Sequence, residues 1–186
     1  MTQRFRDIAF SPAVCAAQAQ NGSADIYAAT PPTDAAPDDL TPTEMTFIAL
    51  RDSFYFATVG ASGWPYMQHR GGPPGFVKVL GRRTIGIADY RGNQQYVSLG
   101  NLADNDRASL FFMDYMNRYR LKVLARARVV DLTADPELTE QLSDPAYDGK
   151  LDRGILFEVE AFDWNCPKYI TPRFTEAELQ ALMARQ

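Results

Sequence analysis

The sequence predicts a mainly β protein with peripheral helices, built as an antiparallel barrel or sandwich. Three observations carry this. Short runs rich in aromatic and β-branched residues recur, such as "FYFATVG" (residues 54–60) and "GILFEVEAF" (residues 154–162). From Arg120 to Val130 the pattern has a period of two. Leu121, Val123, Ala125, Ala127 and Val129 alternate with Arg120, Lys122, Leu124, Arg126 and Arg128, so one face is apolar and the other basic. Finally, short turns join most of these runs, with few long helices between them, which argues against βαβ units.

The elements follow in order. Ser11 and Pro12 open a short helix, with Ser as N-cap and Pro in the first turn, and "QNGS" (residues 20–23) closes it. The Pro- and Asp-rich "TPPTDAAPDDLTP" (residues 30–42) reads as a loop. It separates an N-terminal arm, residues 1–40, from a main domain, residues 41–186. Thr41 and Glu44 form a capping box for a helix reaching about Asp52. The strand Phe54–Gly60 turns at "ASG" and pairs back over Trp64–Arg70. "FVKVL" (residues 76–80) and "TIGIADY" (residues 84–90) flank "GRR" as a second hairpin. Tyr96, Leu99 and Leu102 stand at helical spacing, predicting a helix that begins at Asn93. "RASLFFMDY" (residues 107–115) is a strand, "ADPELTEQL" (residues 134–142) a short helix, and Thr175 with Glu178 caps a last helix. The strands number six or seven.

Composition narrows the function. A chain of 186 residues with 46% hydrophobic and 23% charged content fits one ordinary globular domain with a terminal extension. A net charge of −4 argues against nucleic acid as a partner. No apolar run approaches the roughly 18 residues of a membrane helix. The N-terminal stretch has the look of a signal peptide, but Asp7, Pro12 and Gln18 interrupt it. Cys15 and Cys166 form no CxxC pair, which suits a reducing cytoplasm. Neither common glycine-loop nucleotide signature occurs. His69 is the sole histidine, so no metal site is expected.

One segment stands against the acidic total. Residues 66–96 hold five basic groups, Arg70, Lys78, Arg82, Arg83 and Arg91, and one acid, Asp89. If the strands close into a barrel, Arg70, Lys78, the "RGNQQ" turn and Arg120 can converge on an anion. Arg and Lys give phosphate charge-assisted hydrogen bonds, Gly92 lets the backbone approach, and a helix starting at Asn93 offers free N–H groups. The competing reading is a solvated basic sheet face.

"FATVGASGWPYMQHRGGPPGFVKVL", "ADYRGNQQYVSLGNLADNDRASLFFMDY" and "RLKVLARARVVDL" resemble the pyridoxamine 5'-phosphate oxidase-like family of FMN-binding split barrels. The resemblance runs from about Leu40 to Phe162, and the ending "DWNCPKYITPRF" resembles one branch of flavin proteins within that family. It implies a six-stranded antiparallel Greek-key split barrel that works as a homodimer with FMN at the subunit interface. His69 and Arg70 at a strand end, with Val77 and Lys78, would border the flavin. Asp89, Tyr90 and Arg91 would lead into the phosphate turn. There Asn93 and Gln94 stand where the oxidases carry Ser and Arg, so Arg91 and Arg70 would supply the missing charge. Arg120 would contact the flavin of the other subunit. Trp164, Cys166 and Lys168 would lie near the ring.

The oxidases' C-terminal Arg-x-His has no counterpart, and "GGPPG" (residues 71–75) interrupts a substrate-binding strand. Both departures argue against pyridoxamine phosphate as substrate. The implied function is an FMN-dependent oxidoreductase acting on another small molecule. A flavin-binding or storage protein without turnover, a reductase using the deazaflavin F420, and a barrel serving assembly alone remain as alternatives.

Overall fold

The computed structural model describes residues 1–27, 33–145, 147, 149–164 and 166–184. Residues 30–32 of the Pro/Asp stretch and Asn165 therefore lie outside the described residues. Seven strands form one antiparallel sheet: β1 Ser53–Val59, β2 Pro65–Gly71, β3 Lys78–Val79, β4 Thr84–Tyr90, β5 Arg107–Asp114, β6 Tyr119–Val130 and β7 Leu151–Trp164. Their order is β2-β1-β5-β6-β7-β4-β3. One hairpin thus holds each edge, and the β5–β6–β7 meander lies between them. The count exceeds the six of the split barrel by β3, the shortest strand. "FVKVL" pairs only through Lys78 and Val79, opposite Gly86 and Ile85.

Alternate residues of each strand point into one core. Phe54 and Phe56 of β1, Leu110 and Phe112 of β5, Leu121 and Val123 of β6 and Ile155 and Phe157 of β7 are essentially inaccessible. Each such side chain contributes about 1.5–3 kcal/mol by leaving water. β2 and β4 are not neighbours in the sheet, yet the Arg70 Nη1 atom stands 2.8 Å from Asp89 Oδ1. The sheet has therefore curled until its edges nearly meet, and this pair bridges the seam. Phe76 stacks on Phe54 beside it, with centroids 5.9 Å apart.

β7 carries two irregularities. The register passes from Asp89↔Arg153 to Tyr90↔Leu151, leaving Asp152 unopposed. It also passes from Leu124↔Ala161 to Ala125↔Val159, leaving Glu160 unopposed. An extra residue in one strand re-aims its side chain. Here each carries a carboxylate that two guanidiniums share: Asp152 takes Arg91 and Arg153, and Glu160 takes Arg4 and Arg126.

The helices lie outside the barrel. The first, α1 Gln3–Ala9, was not anticipated from the sequence. Thr2 caps it, Phe5 is buried and Arg4 donates to Glu160 at 2.7 Å, so the arm packs on its own barrel. α2 Pro12–Gln20 has the expected Ser11 cap. α3 Pro42–Ala49 has the Thr41–Glu44 capping box and stops short of Asp52. α4 covers Val97–Asp104, α5 Pro136–Leu142 and α6 Glu176–Met183, the last with the Thr175–Glu178 box. Among the described residues no helix is long and apolar enough to cross a membrane.

Candidate functional site

The barrel seam holds the first cavity. β2 presents Gln68 and Arg70 on one side, and β4 presents Asp89 and Tyr90 on the other. The loop Gly92–Tyr96 and the first turn of α4 close it. α4 is fixed in place from below. Leu102 is buried, and Asn101 donates to Thr58 at 3.0 Å. Gly60 leaves the room that the Asn101 side chain occupies. Gln94 and Tyr96 both have left-handed backbones, at φ 60° and 54°. Such conformations cost non-glycine residues of order 1 kcal/mol or more each. They also delay the helix, which starts at Val97 and not at Asn93. Tyr96 is its N-cap and offers no side-chain hydrogen bond, so the first N–H groups of α4 have no cap.

This cavity measures about 60 Å³, well below the roughly 300 Å³ at which ordinary ligand pockets begin. It suits a small anion and not a ring. Its charges are not free, however. Arg70 pairs with Asp89 at 2.8 Å, Arg91 with Asp152 at 2.9 Å, and Arg153 lies 3.4 Å from Asp152 and 3.7 Å from Asp89. The guanidinium of Arg153 also covers the Tyr96 ring at 5.2 Å. Hydrogen bonding from Arg91 holds the Asp152 carboxyl below its ordinary range. Arg70 keeps one unused donor: its Nε is buried without a partner among the described residues.

A second cavity lies on the outer face of the barrel. Tyr55, Phe111, Met113 and Arg120 line it from the sheet, and the chain after β7, Tyr169–Arg173, forms its far wall. Its volume is about 640 Å³. The Tyr55 and Tyr115 hydroxyls stand 3.3 Å apart, and that hydrogen bond pushes the Tyr115 phenol above its ordinary value. The Arg173 guanidinium sits 5.0 Å from the centre of the Tyr115 ring. Arg120 Nε is buried without a partner among the described residues, as Arg70 Nε is.

The predicted site residues therefore divide. Arg70, Asp89, Tyr90, Asn93 and Gln94 share the seam cavity, with Arg91 at its rim. Lys78 lies apart, 3.9 Å from Asp144. Val77 is a core residue, 1% exposed. His69 points to the opposite face of β2 from Arg70, edge-on to Tyr55 at 5.7 Å. Arg120 belongs to the outer cavity. Trp164 donates its indole N–H to Glu44 at 2.6 Å and packs on Phe47. Cys166 and Lys168 are exposed in the segment after β7. The expected convergence of cations on one spot is thus corrected. Arg82 and Arg83 both pair with Asp39, and Lys122 and Arg126 on β6 pair with Asp163, Asp106 and Glu160. Charges that look unmatched along a strand find carboxylates on other strands. The reading missed Asp152 and Arg153 in the seam, and Tyr55, Tyr115 and Arg173 outside it. The acid–base dipeptide Asp152–Arg153, just before the apolar run that starts at Gly154, was the available signal for the first two.

The family model for pyridoxamine 5'-phosphate oxidase matches residues 40–154, more than half of the chain. The chain belongs to the pyridoxamine 5'-phosphate oxidase family. The matched span runs from the residue before the α3 capping box to the start of β7, and it contains both edges of the seam. Among solved structures, HupZ of Group A Streptococcus superimposes with a TM-score of 0.53 at 14% identity, covering 73% of this chain and all of that one (100%). A candidate pyridoxamine 5'-phosphate oxidase from Lactobacillus delbrueckii superimposes with a TM-score of 0.51 at 20% identity, covering 67% of this chain and 93% of that one. At these identities the likeness is one of fold. No curated protein sequence matches the chain significantly.

The residues in the seam fit the phosphate end of the cofactor that this family implies. An uncapped helix N-terminus attracts an anion. Beside it lies a buried guanidinium nitrogen that lacks an acceptor. A Cβ on Gly92 would meet nothing within 4 Å, so that backbone is open to approach.

Proposed function

We propose that this protein is an FMN-dependent oxidoreductase acting as a homodimer on a substrate other than pyridoxamine phosphate. The observation that carries this reading is the seam anion site, Arg70 Nε beside the uncapped start of α4, in a chain of this family. Arg70 and the amides of Val97 and Ser98 would hold the phosphate, with Arg91 and Arg153 adding charge around it. When bound, FMN supplies hydride or single-electron transfer. The seam cavity has room for the phosphate alone, so the ring would extend beyond it. Arg120 lines the other cavity and not the seam. In a homodimer it would border the ring held by the partner copy, where a positive charge favours the reduced, more anionic flavin.

Purification tests this directly. The expected protein is yellow, releases FMN on heating as identified by mass, runs as a dimer, and is reduced by NADH or NADPH and reoxidised by oxygen. A protein that binds no flavin overturns the reading. Selective retention of F420 reassigns the cofactor, and stable binding of FMN without reduction makes it a carrier.

A further inference from the structure

We propose that the outer-face cavity is a binding site for planar aromatic acids, with Arg120 and Arg173 receiving the carboxylate. Its size, about 640 Å³, lies within the range of pockets that bury small organic ligands. Ala57 and Ser109 put only small side chains into it beside the larger rings. The rings of Tyr55, Phe111 and Tyr115 line it, and such rings prefer offset or edge contacts with another ring. An extended or branched aliphatic ligand would leave those faces unmatched.

The charge requirement is the stronger argument. Every ionic group lining this cavity is a cation, and neither Arg120 nor Arg173 has a carboxylate within ion-pair reach among the described residues. The guanidiniums of Arg70, Arg91, Arg126 and Arg153 are all paired. A buried guanidinium nitrogen without an acceptor, such as Arg120 Nε, is costly to maintain. A carboxylate accepts from such a fork bidentately and would relieve it. Ile170 in the same wall is buried, and the Arg173 guanidinium lies 5.0 Å from the centre of the Tyr115 ring.

This inference deepens the flavin reading, since the acid would lie where Arg120 faces the ring, yet its test needs no turnover. Naphthoate and its neutral analogue naphthamide are titrated into the purified protein by calorimetry, with FMN content measured on the same sample. The acid should bind at least about tenfold tighter than the amide, the ratio one charge-assisted contact supplies. Arg173→Ala and Arg120→Gln should each weaken the acid about tenfold while barely moving the amide, and Arg173→Lys should keep part of the affinity. Arg173 is exposed, so its variants should fold; unchanged melting temperatures check this. Equal binding of acid and amide, or acid binding indifferent to both arginines, overturns the proposal. So does loss of naphthoate binding once FMN is loaded, which would make the cavity the cofactor's own while leaving the flavin reading intact. Tight naphthoate binding by a protein that takes no FMN has the opposite meaning: the flavin reading fails and this site stands.

Discussion

The seam cavity and the outer-face cavity both hold an arginine whose buried Nε lacks a partner among the described residues, and they differ in what surrounds it. In the seam, three guanidiniums face two carboxylates, Asp89 and Asp152, so the site is a near-balanced ladder that already exists without a ligand. On the outer face two guanidiniums face aromatic rings and no carboxylate. The first arrangement positions charge and tolerates an empty state. The second waits for charge from outside. The lesson is that a cation's worth to a ligand depends on whether the fold has already neutralised it.

The largest expected effect tests whether Arg70 serves the fold as well as the ligand. Arg70→Ala removes the bridge between β2 and β4 and leaves Asp89 with only Arg153, 3.7 Å away. We expect a loss of about 2 kcal/mol in unfolding free energy by chemical denaturation, as for a charged hydrogen bond in a half-buried setting. FMN affinity should fall about a hundredfold, measured by quenching of flavin fluorescence. Arg120→Gln offers the contrast. Its guanidinium has no ion partner to lose, so stability should stay within about 0.5 kcal/mol. If the two variants are equally destabilised, the distinction between the cavities fails.

Next in size is an effect of opposite sign. Asp152 competes with any anion for Arg91 and Arg153. Asp152→Asn should therefore tighten FMN binding, by about tenfold at most. Folding should change little, because Arg91 is half exposed, with 46% of its side chain accessible. Weaker binding in this variant would mean that Asp152 orients Arg91 toward the phosphate and does not withhold it.

Much of the fold was legible because local signals agreed with it. The two capping boxes and the Ser11–Pro12 start appear where the residues place them, as does the period-two run of β6 as far as Ala127, after which Val129 is exposed. α1 was missed, since its seven residues are held by contacts with β7, Phe5 burial and the Arg4–Glu160 pair. The start of α4 was set four residues early, because nothing in "RGNQQY" announces left-handed backbones at Gln94 and Tyr96. At the site, the turn and the arginines beside it were legible, and their neutralisation was not. Arg91 and Asp152 are 61 residues apart, and Asp152 reaches Arg91 only because β7 is irregular there. Register irregularities leave almost no trace in composition. The Arg173 wall depends likewise on how the chain folds back after β7.

The two unopposed acids of β7 sharpen the comparison further. Glu160 is the counterpart of Asp152 further along the strand, and it stands outside the seam cavity. Hydrogen bonding from Arg4, aided by Arg126, holds the Glu160 carboxyl below its ordinary value of 4.5, against the opposing pull of burial. The folded value being the lower one, the stabilisation is complete above about 4.5 and is lost as pH falls from there through the folded value. Glu160→Gln should lower stability near neutrality by about 1 kcal/mol or less and flatten its decline in acid, read from melting temperature against pH. A decline of unchanged steepness would assign acid sensitivity to other carboxylates, with Glu44 and Asp114, also held low, as the next to test.

The smallest effect on the fold is also the most selective for the seam. Gly92 has neither a left-handed backbone nor any atom within 4 Å of where a Cβ would stand. Nothing in the protein itself requires glycine there, so Gly92→Ala should change stability by no more than about 0.5 kcal/mol. A phosphate seated among Arg70, the α4 amides and this loop would meet the new methyl group. FMN affinity should then fall severalfold, while naphthoate binding on the outer face stays unchanged. That split, between a silent melting curve and a weakened flavin, would arise only if the anion approaches the backbone at Gly92. Equal flavin affinity in the alanine variant would move the phosphate toward Arg70 and the start of α4, away from the glycine turn.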